Sequence, residues 1–304
     1  ARSASDRYKE PGGPRRRRGP RALTVPTIRL AHSPDSDDAF MFYALAAGKI
    51  DTGGRTYVHE LADIETLNRR ADAGELEVTA VSFHAYAYLA DRYALLPHGA
   101  SIGDGYGPRL VARTPPPADP RAALRDVVVA TPGTRTTAHL ALLLYQPAAR
   151  TVVVPFDRIE DTVLDGTADV GLLIHEGQLT YADRGLHLWQ DLGAWWGAET
   201  GLPLPLGGNV VRKDLGPELM DAISRDLRAS IVYGLAHRAD ALAHAGRYAR
   251  GMDATRTDTF VGMYVNDFTV DYGPRGRAAV QRLLDEGHRA GLLPAHVRAA
   301  FVEG

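Results

Sequence analysis

Arg109-Leu110-Val111-Ala112-Arg113-Thr114-Pro115-Pro116-Pro117-Ala118-Asp119-Pro120 decides how the chain is organised. Arg109 to Arg113 reads as a strand. The prolines that follow fit neither a helix interior nor a central strand, because each lacks a backbone N–H and fixes its own φ. One unit therefore ends near Thr114 to Pro120 and a second begins. Upstream, strand and helix signals alternate. Thr27 to Ala31 reads as a strand, Ser33 to Asp38 as a polar loop, and Phe40 to Ala47 as a buried helix closed by Gly48. Tyr57 to Leu61 is a short strand. Asp63 caps a helix with Ile64, Leu67 and Ala71 on one face, ended by Gly74. Val78 to Ser82 is a strand and His84 to Ala90 a helix.

The same alternation resumes downstream. Val127 to Ala130 is apolar and β-branched, as a strand buried on both faces must be. Thr131 to Arg135 is a loop, and a helix runs from Thr136 to Tyr145. Val152 to Val154 is a strand, Asp157 opens a helix through Val163 and Leu164, and Val170 to Ile174 is a strand. Leu202-Pro203-Leu204-Pro205-Leu206-Gly207-Gly208 looks like a second crossing, and Pro217 to His237 like a long amphipathic helix. The expected fold is α/β with two lobes and an interdomain cleft. Residues 27–114 with 209–304 form a discontinuous domain 1, and residues 115–208 form an inserted domain 2.

Composition narrows the functional classes. The chain has 304 residues, a formal net charge of −2 and no cysteine. Disulfides, thiolate nucleophiles and Cys-zinc sites are excluded, and no broad basic field for nucleic acid exists. No stretch of about 18 apolar residues suggests a membrane span. Residues 1–26 carry Arg15-Arg16-Arg17-Arg18 followed by Gly19-Pro20 rather than an apolar run, so they read as a disordered basic extension and not an export signal. Its deletion is expected to leave turnover and melting temperature nearly unchanged. The eleven His residues show no HExxH-like spacing, so no metal site is expected.

In open α/β sheets, ligands bind outside the carboxyl ends of strands. The candidate site therefore comprises Ser33 to Asp38, Ser82 to His84, Thr131 to Thr137, and His175-Glu176. The Thr131 to Thr137 loop, with free N–H groups and a helix start, suits a carboxylate; an ordinary Thr-capped helix explains it equally well. His175 directly follows an apolar strand and has the ordinary pKa range of a general base, although a structural His fits the same pattern. His32, His84 and His98 are weaker candidates. Of Asp35, Asp37 and Asp38, one is read as a helix cap and another as a partner for a ligand hydroxyl. Phe40, Phe42 and Tyr43, like Tyr86 and Tyr88, are read as core, and so are Trp195-Trp196, unless one Trp lines a pocket for a flat ring.

Leu173-Ile174-His175-Glu176, Thr180-Tyr181, Asp191 to Trp196 and Thr200 to Gly207 closely resemble the 1,4-dihydroxy-6-naphthoate synthase family of the futalosine route to menaquinone. Glu65-Thr66-Leu67-Asn68, Pro132-Gly133 with Thr136-Thr137, and Tyr264-Val265-Asn266 add to the likeness, which runs from about Thr27 to the C-terminus. The resemblance implies a periplasmic-binding-protein-like (type 2) fold, a cytoplasmic lyase without cofactor, and cyclic dehypoxanthine futalosine as substrate. It implies His175 as proton acceptor and substrate contacts at Ala80, Val81, Ser82, Thr136 and Thr137. Ser33, Gly133 and Arg135 complete the expected site. The implied partner is a small carboxylate-bearing substrate, with no nucleic acid and no membrane insertion, for a monomer or homodimer. A small-carboxylate-binding protein and the sister enzyme chorismate dehydratase are the alternatives on the same scaffold. Two departures stand out. The family's first loop reads Ser-Pro-Cys-Pro-Asn-Asp-Thr-Phe, against Ser33-Pro34-Asp35-Ser36-Asp37-Asp38-Ala39-Phe40 here. The family often carries Lys where Ala80 stands, which leaves Arg135 to supply the cation or the ligand to differ.

Overall fold

A computed structural model describes residues 27–249 and 251–303. The expected basic extension, residues 1–26, lies outside them. In chain order, the first part holds β1 (Thr27–His32), α1 (Ser36–Met41), α2 (Tyr43–Ala46), β2 (Thr56–Leu61), α3 (Ile64–Asp72), β3 (Val78–Ser82), α4 (Phe83–Leu89), β4 (Tyr93–Leu95) and β5 (Ser101–Gly103). The middle holds β6 (Arg109–Ala112), α5 (Pro120–Ala123), β7 (Val128–Thr131), α6 (Thr137–Tyr145), β8 (Arg150–Val153), α7 (Ile159–Leu164), β9 (Val170–Leu173), α8 (Gly177–Thr180), β10 (His187–Asp191) and α9 (Leu192–Thr200). The chain ends with β11 (Leu204–Arg212), α10 (Pro217–Ala236), α11 (Arg238–Ala245), α12 (Ala254–Tyr264), α13 (Asp267–Val270) and α14 (Gly273–Arg289).

The strands form two sheets. One has the order β2-β1-β3-β11-β4, with β5 also on β11; the other runs β10-β6-β9-β7-β8. In each, a parallel core (β1 with β2 and β3; β7 with β8 and β9) is extended by antiparallel strands. Ligand loops therefore leave the carboxyl ends of β1, β3, β7 and β9.

Both expected crossings are displaced. β6 pairs antiparallel with β9, Arg109 opposite Leu173, so it belongs to the second sheet. The chain therefore passes between lobes at residues 104–108, and the proline run is a loop of the second lobe that leads into α5. Proline marks where regular structure stops, which is not the same as where lobes part. Likewise Leu204-Pro205-Leu206-Gly207-Gly208 is not a crossing but the start of β11, already paired with β5 and β3. The return falls at residues 201–203, after the left-handed Gly201 (φ 70°) that ends α9.

The outgoing crossing packs closely on α9 of the second lobe. A Cβ on Gly193, at the start of α9, would lie 2.0 Å from the carbonyl carbon of Tyr106 in the outgoing crossing, and one on Gly107 would lie 2.9 Å from Gly193. Only glycine admits that backbone approach. Away from the cleft, one buried apolar cluster runs through both lobes, from Val81, Phe83 and Tyr86 through Leu140, Leu142 and Trp196 to Val210 and Leu283. A second core, with Ile28, Phe40, Leu227 and Val261, packs the opposite face of the first sheet.

Candidate active site

A cavity lies between the lobes, lined by residues of both. Ser33, Ala80, Val81, Ser82, Thr136, Thr137 and His175 all line it, so the three expected strand-end loops and the His converge. Gly133 and Arg135 do not. The Arg135 guanidinium lies over the Tyr88 ring, 3.5 Å from its centroid, which removes it as the cation of the cleft. Among the described residues, no Lys or Arg lines this cavity.

His175 follows β9 and is held by Asp35, at the end of the loop between β1 and α1: His175 Nδ1 lies 2.8 Å from Asp35 Oδ2. A carboxylate only accepts, so Nδ1 carries the proton and Nε2 remains to act. Nε2 is buried, with no protein partner among the described residues. The Phe156 ring meets the imidazole edge-on, its centroid 4.2 Å away. Burial opposes charging of His175, but the carboxylates of Asp35, Glu176 and Asp37 outweigh it and hold its pKa above the ordinary value. Asp35 also accepts from the Ser33 hydroxyl. It was a candidate cap, yet its side chain makes no cap bond.

The next acids in this loop behave differently. Asp38 accepts from the Ser33 N–H at 2.7 Å, and Asp37 accepts from the Ser101 hydroxyl at 3.4 Å. Burial, then the charge of Asp35, pushes Asp37 up to about 7. Burial and the neighbouring acids raise Asp38 well above the carboxylate range. A protonated Asp37 offers a donor in the shape of the Asn that the family pattern carries there.

The Thr pair does less direct work than expected. Thr136 caps α6, accepting from His139 N and donating to Gly133 O, while Thr137 donates to Leu206 O at 2.5 Å. Both hydroxyl protons are thus committed. The groups left for an anion are the Ser82 hydroxyl and the N–H groups of Thr137 and Ala138, which no intrahelical carbonyl reaches. The other histidines are structural. His32 faces the Ser33 carbonyl and stacks on Phe42, and burial lowers it to about 3; His84 faces the Thr136 carbonyl and is lowered by burial to about 4; His98 faces the Val270 carbonyl. Trp196 is core, donating to Pro203 O.

Sequence reasoning missed further lining residues, among them Phe260 and Tyr264 of α12, and Gly207 and Gly208 of β11, which pair beside Ser82 and Val81. A Cβ on Gly208 would meet Tyr272 Oη at 2.3 Å. Glycine in a strand was the available signal for such close packing.

Asp35, His175 and Glu176 each offer a ligand atom within 4.8 Å of the others, a spacing that would admit a metal ion. The imidazole and Asp35 face each other at hydrogen-bond distance, as partners rather than as two ligands turned to a common ion. Turnover is expected to survive dialysis against a strong chelator; loss of activity restored by one divalent metal would reassign this trio.

The chain matches the Menaquinone biosynthesis family over residues 28–289. It is 42% identical over 275 residues to a Thermus thermophilus 1,4-dihydroxy-6-naphthoate synthase, covering 90% of this chain and 99% of that one. A crystal structure of an Archaeoglobus fulgidus protein superposes with a TM-score of 0.83 at 47% identity, covering 88% of this chain and 98% of the other. The alkanesulfonate-binding protein SsuA of Xanthomonas axonopodis, 11% identical, superposes with a TM-score of 0.66 over 91% of this chain and 98% of its own, a likeness of fold alone. A periplasmic-binding-protein-like scaffold with a buried Asp–His pair in its cleft, and near-full-length similarity to a named synthase, make this chain an enzyme of the menaquinone-biosynthesis family.

Proposed function

We propose that the chain is the lyase that converts cyclic dehypoxanthine futalosine to 1,4-dihydroxy-6-naphthoate, with His175 as general base. The observation that carries this reading is the Asp35–His175 pair at 2.8 Å, its second nitrogen unpartnered, on the wall of the cavity between the lobes. One molecule gives two: a proton is taken from the substrate, the carbon–carbon bond to the sugar portion breaks with its electron pair completing the aromatic second ring, and the proton is returned to the oxygen of that ring. Nε2 takes the proton, and the imidazolium that forms is stabilised by Asp35. As charge develops on the adjacent oxygen, protonated Asp37 is a suitable donor, because burial keeps its proton to about pH 7. At the far end, the Ser82 hydroxyl and the first turn of α6 receive the substrate carboxylate. Ala80 and Val81 give that wall its apolar surface.

No helix among the described residues is long and apolar enough to cross a membrane. A cytoplasmic location is proposed with the lyase. The test is incubation of purified protein with cyclic dehypoxanthine futalosine, with naphthoate followed by mass and fluorescence. Binding without turnover would favour a carboxylate-binding protein, and turnover of chorismate instead would favour the sister dehydratase.

A further inference from the structure

Glu65-Thr66-Leu67-Asn68 lies on α3, in the first lobe, and none of the four touches the central cavity. The Glu65 carboxylate nevertheless reaches the second lobe. Glu65 Oε2 accepts from Arg135 N at 3.2 Å and lies flush on Gly133, where a Cβ would come within 2.4 Å of it. A carboxylate from the other lobe occupies the space a side chain at position 133 would take, so a larger residue there would displace Glu65. Asn68, 2% exposed, works from the next turn. Its Oδ1 accepts from Ser82 N at 2.9 Å, and its Nδ2 is shared between Ser82 Oγ at 3.3 Å and Arg135 O at 3.4 Å. Asp63 fixes the start of α3 by accepting from Thr66 N and Thr66 Oγ1. Stacking of Arg135 on Tyr88, from α4 of the first lobe, adds a third contact.

We infer that Glu65 and Asn68 are positioning residues: a two-residue clamp across the cleft that sets Ser82 and the start of α6 at the spacing a carboxylate needs. The inference rests on the carboxylate end proposed above. It also explains why residues 133–135 of the Thr131 to Thr137 loop do not face the substrate carboxylate, since the protein's own carboxylate takes the Arg135 N–H. Every bond of the clamp to residues 133–135 joins the two lobes, so any parting of the lobes would break it. Burial raises the pKa of Glu65, opposed by the Arg135 N–H.

The test uses the full chain with Glu65→Ala, Glu65→Gln and Asn68→Ser. Glu65→Ala is expected to raise KM about tenfold, the size of one lost hydrogen bond to a charged group, with kcat changed less. Glu65→Gln, which keeps an acceptor, should recover most of that loss. Small-angle scattering without substrate should show a larger radius of gyration for Glu65→Ala than for wild type. If Glu65→Ala does not fold, Asn68→Ser carries the same two readouts. Wild-type KM and scattering in folded variants would overturn the clamp, as would a fall in melting temperature with unchanged kinetics. Scattering needs no substrate, so a failure of the proposed reaction and a failure of the clamp are told apart.

Discussion

His175→Ala and His175→Gln are expected to lower turnover by about 10²–10⁴-fold, the range of a well-placed general base, while substrate still binds. The carboxylate end is built from other strands and helices, so binding and proton transfer are physically separate. Single-turnover kinetics with a binding measurement on the same variants provides the check. A folded His175→Ala enzyme that kept more than about a tenth of wild-type turnover would lack the loss a base implies. The proton would then have to go to another group in this wall, and Asp37, lining the same cavity with its pKa pushed up to about 7, is the nearest in chemistry.

Asp35→Asn is expected to lower kcat by about tenfold or more, short of the loss from removing the imidazole, since orientation and charge stabilisation are lost but the base stays. Its pH dependence distinguishes the reading. A base must be neutral to act, so kcat/KM falls on the acid side as His175 protonates. Asp35 holds the His175 pKa above its ordinary value, so removing that charge moves the acid limb to lower pH even as the plateau drops. Asp37 is pushed up to about 7, and the profile of Asp37→Asn, which restores the family's residue type, shows how much of the limb is its own. An Asp35→Asn enzyme with an unmoved limb and full rate would mean that the pair is only structural.

The parts of this architecture written in local pattern were legible. The β-branched run at Val127 to Ala130, the Asp63 cap with Gly74, and the apolar strand leading to His175 each carry their structure in a few adjacent residues. Strand partnership is not local. Arg109 to Arg113 reads as a strand in either lobe, and only its antiparallel pairing with β9 decides which. The same limit governed the site. Asp35 and His175 lie far apart in sequence, so no spacing announced that they meet. Arg135 looked like a free cation because the Tyr88 face that occupies it comes from the other lobe. Alternation along a strand would turn Glu176 to the face opposite His175. Yet β9 ends at Leu173, and beyond it the rule has no force: Glu176 is buried with an oxygen within 4.8 Å of the His175 ligand atom.

The contact between the outgoing crossing and α9 bears on how such a chain can diverge. Because Gly193 sits against the Tyr106 backbone, that connection is seated on the second lobe rather than strung free between the lobes. Its length is therefore constrained: a residue inserted in it would push Tyr106 off Gly193. Loops that leave this seat alone, such as the proline run after β6, carry no such constraint. Drift in loop length among related chains should gather there, while residues 104–108 keep their count.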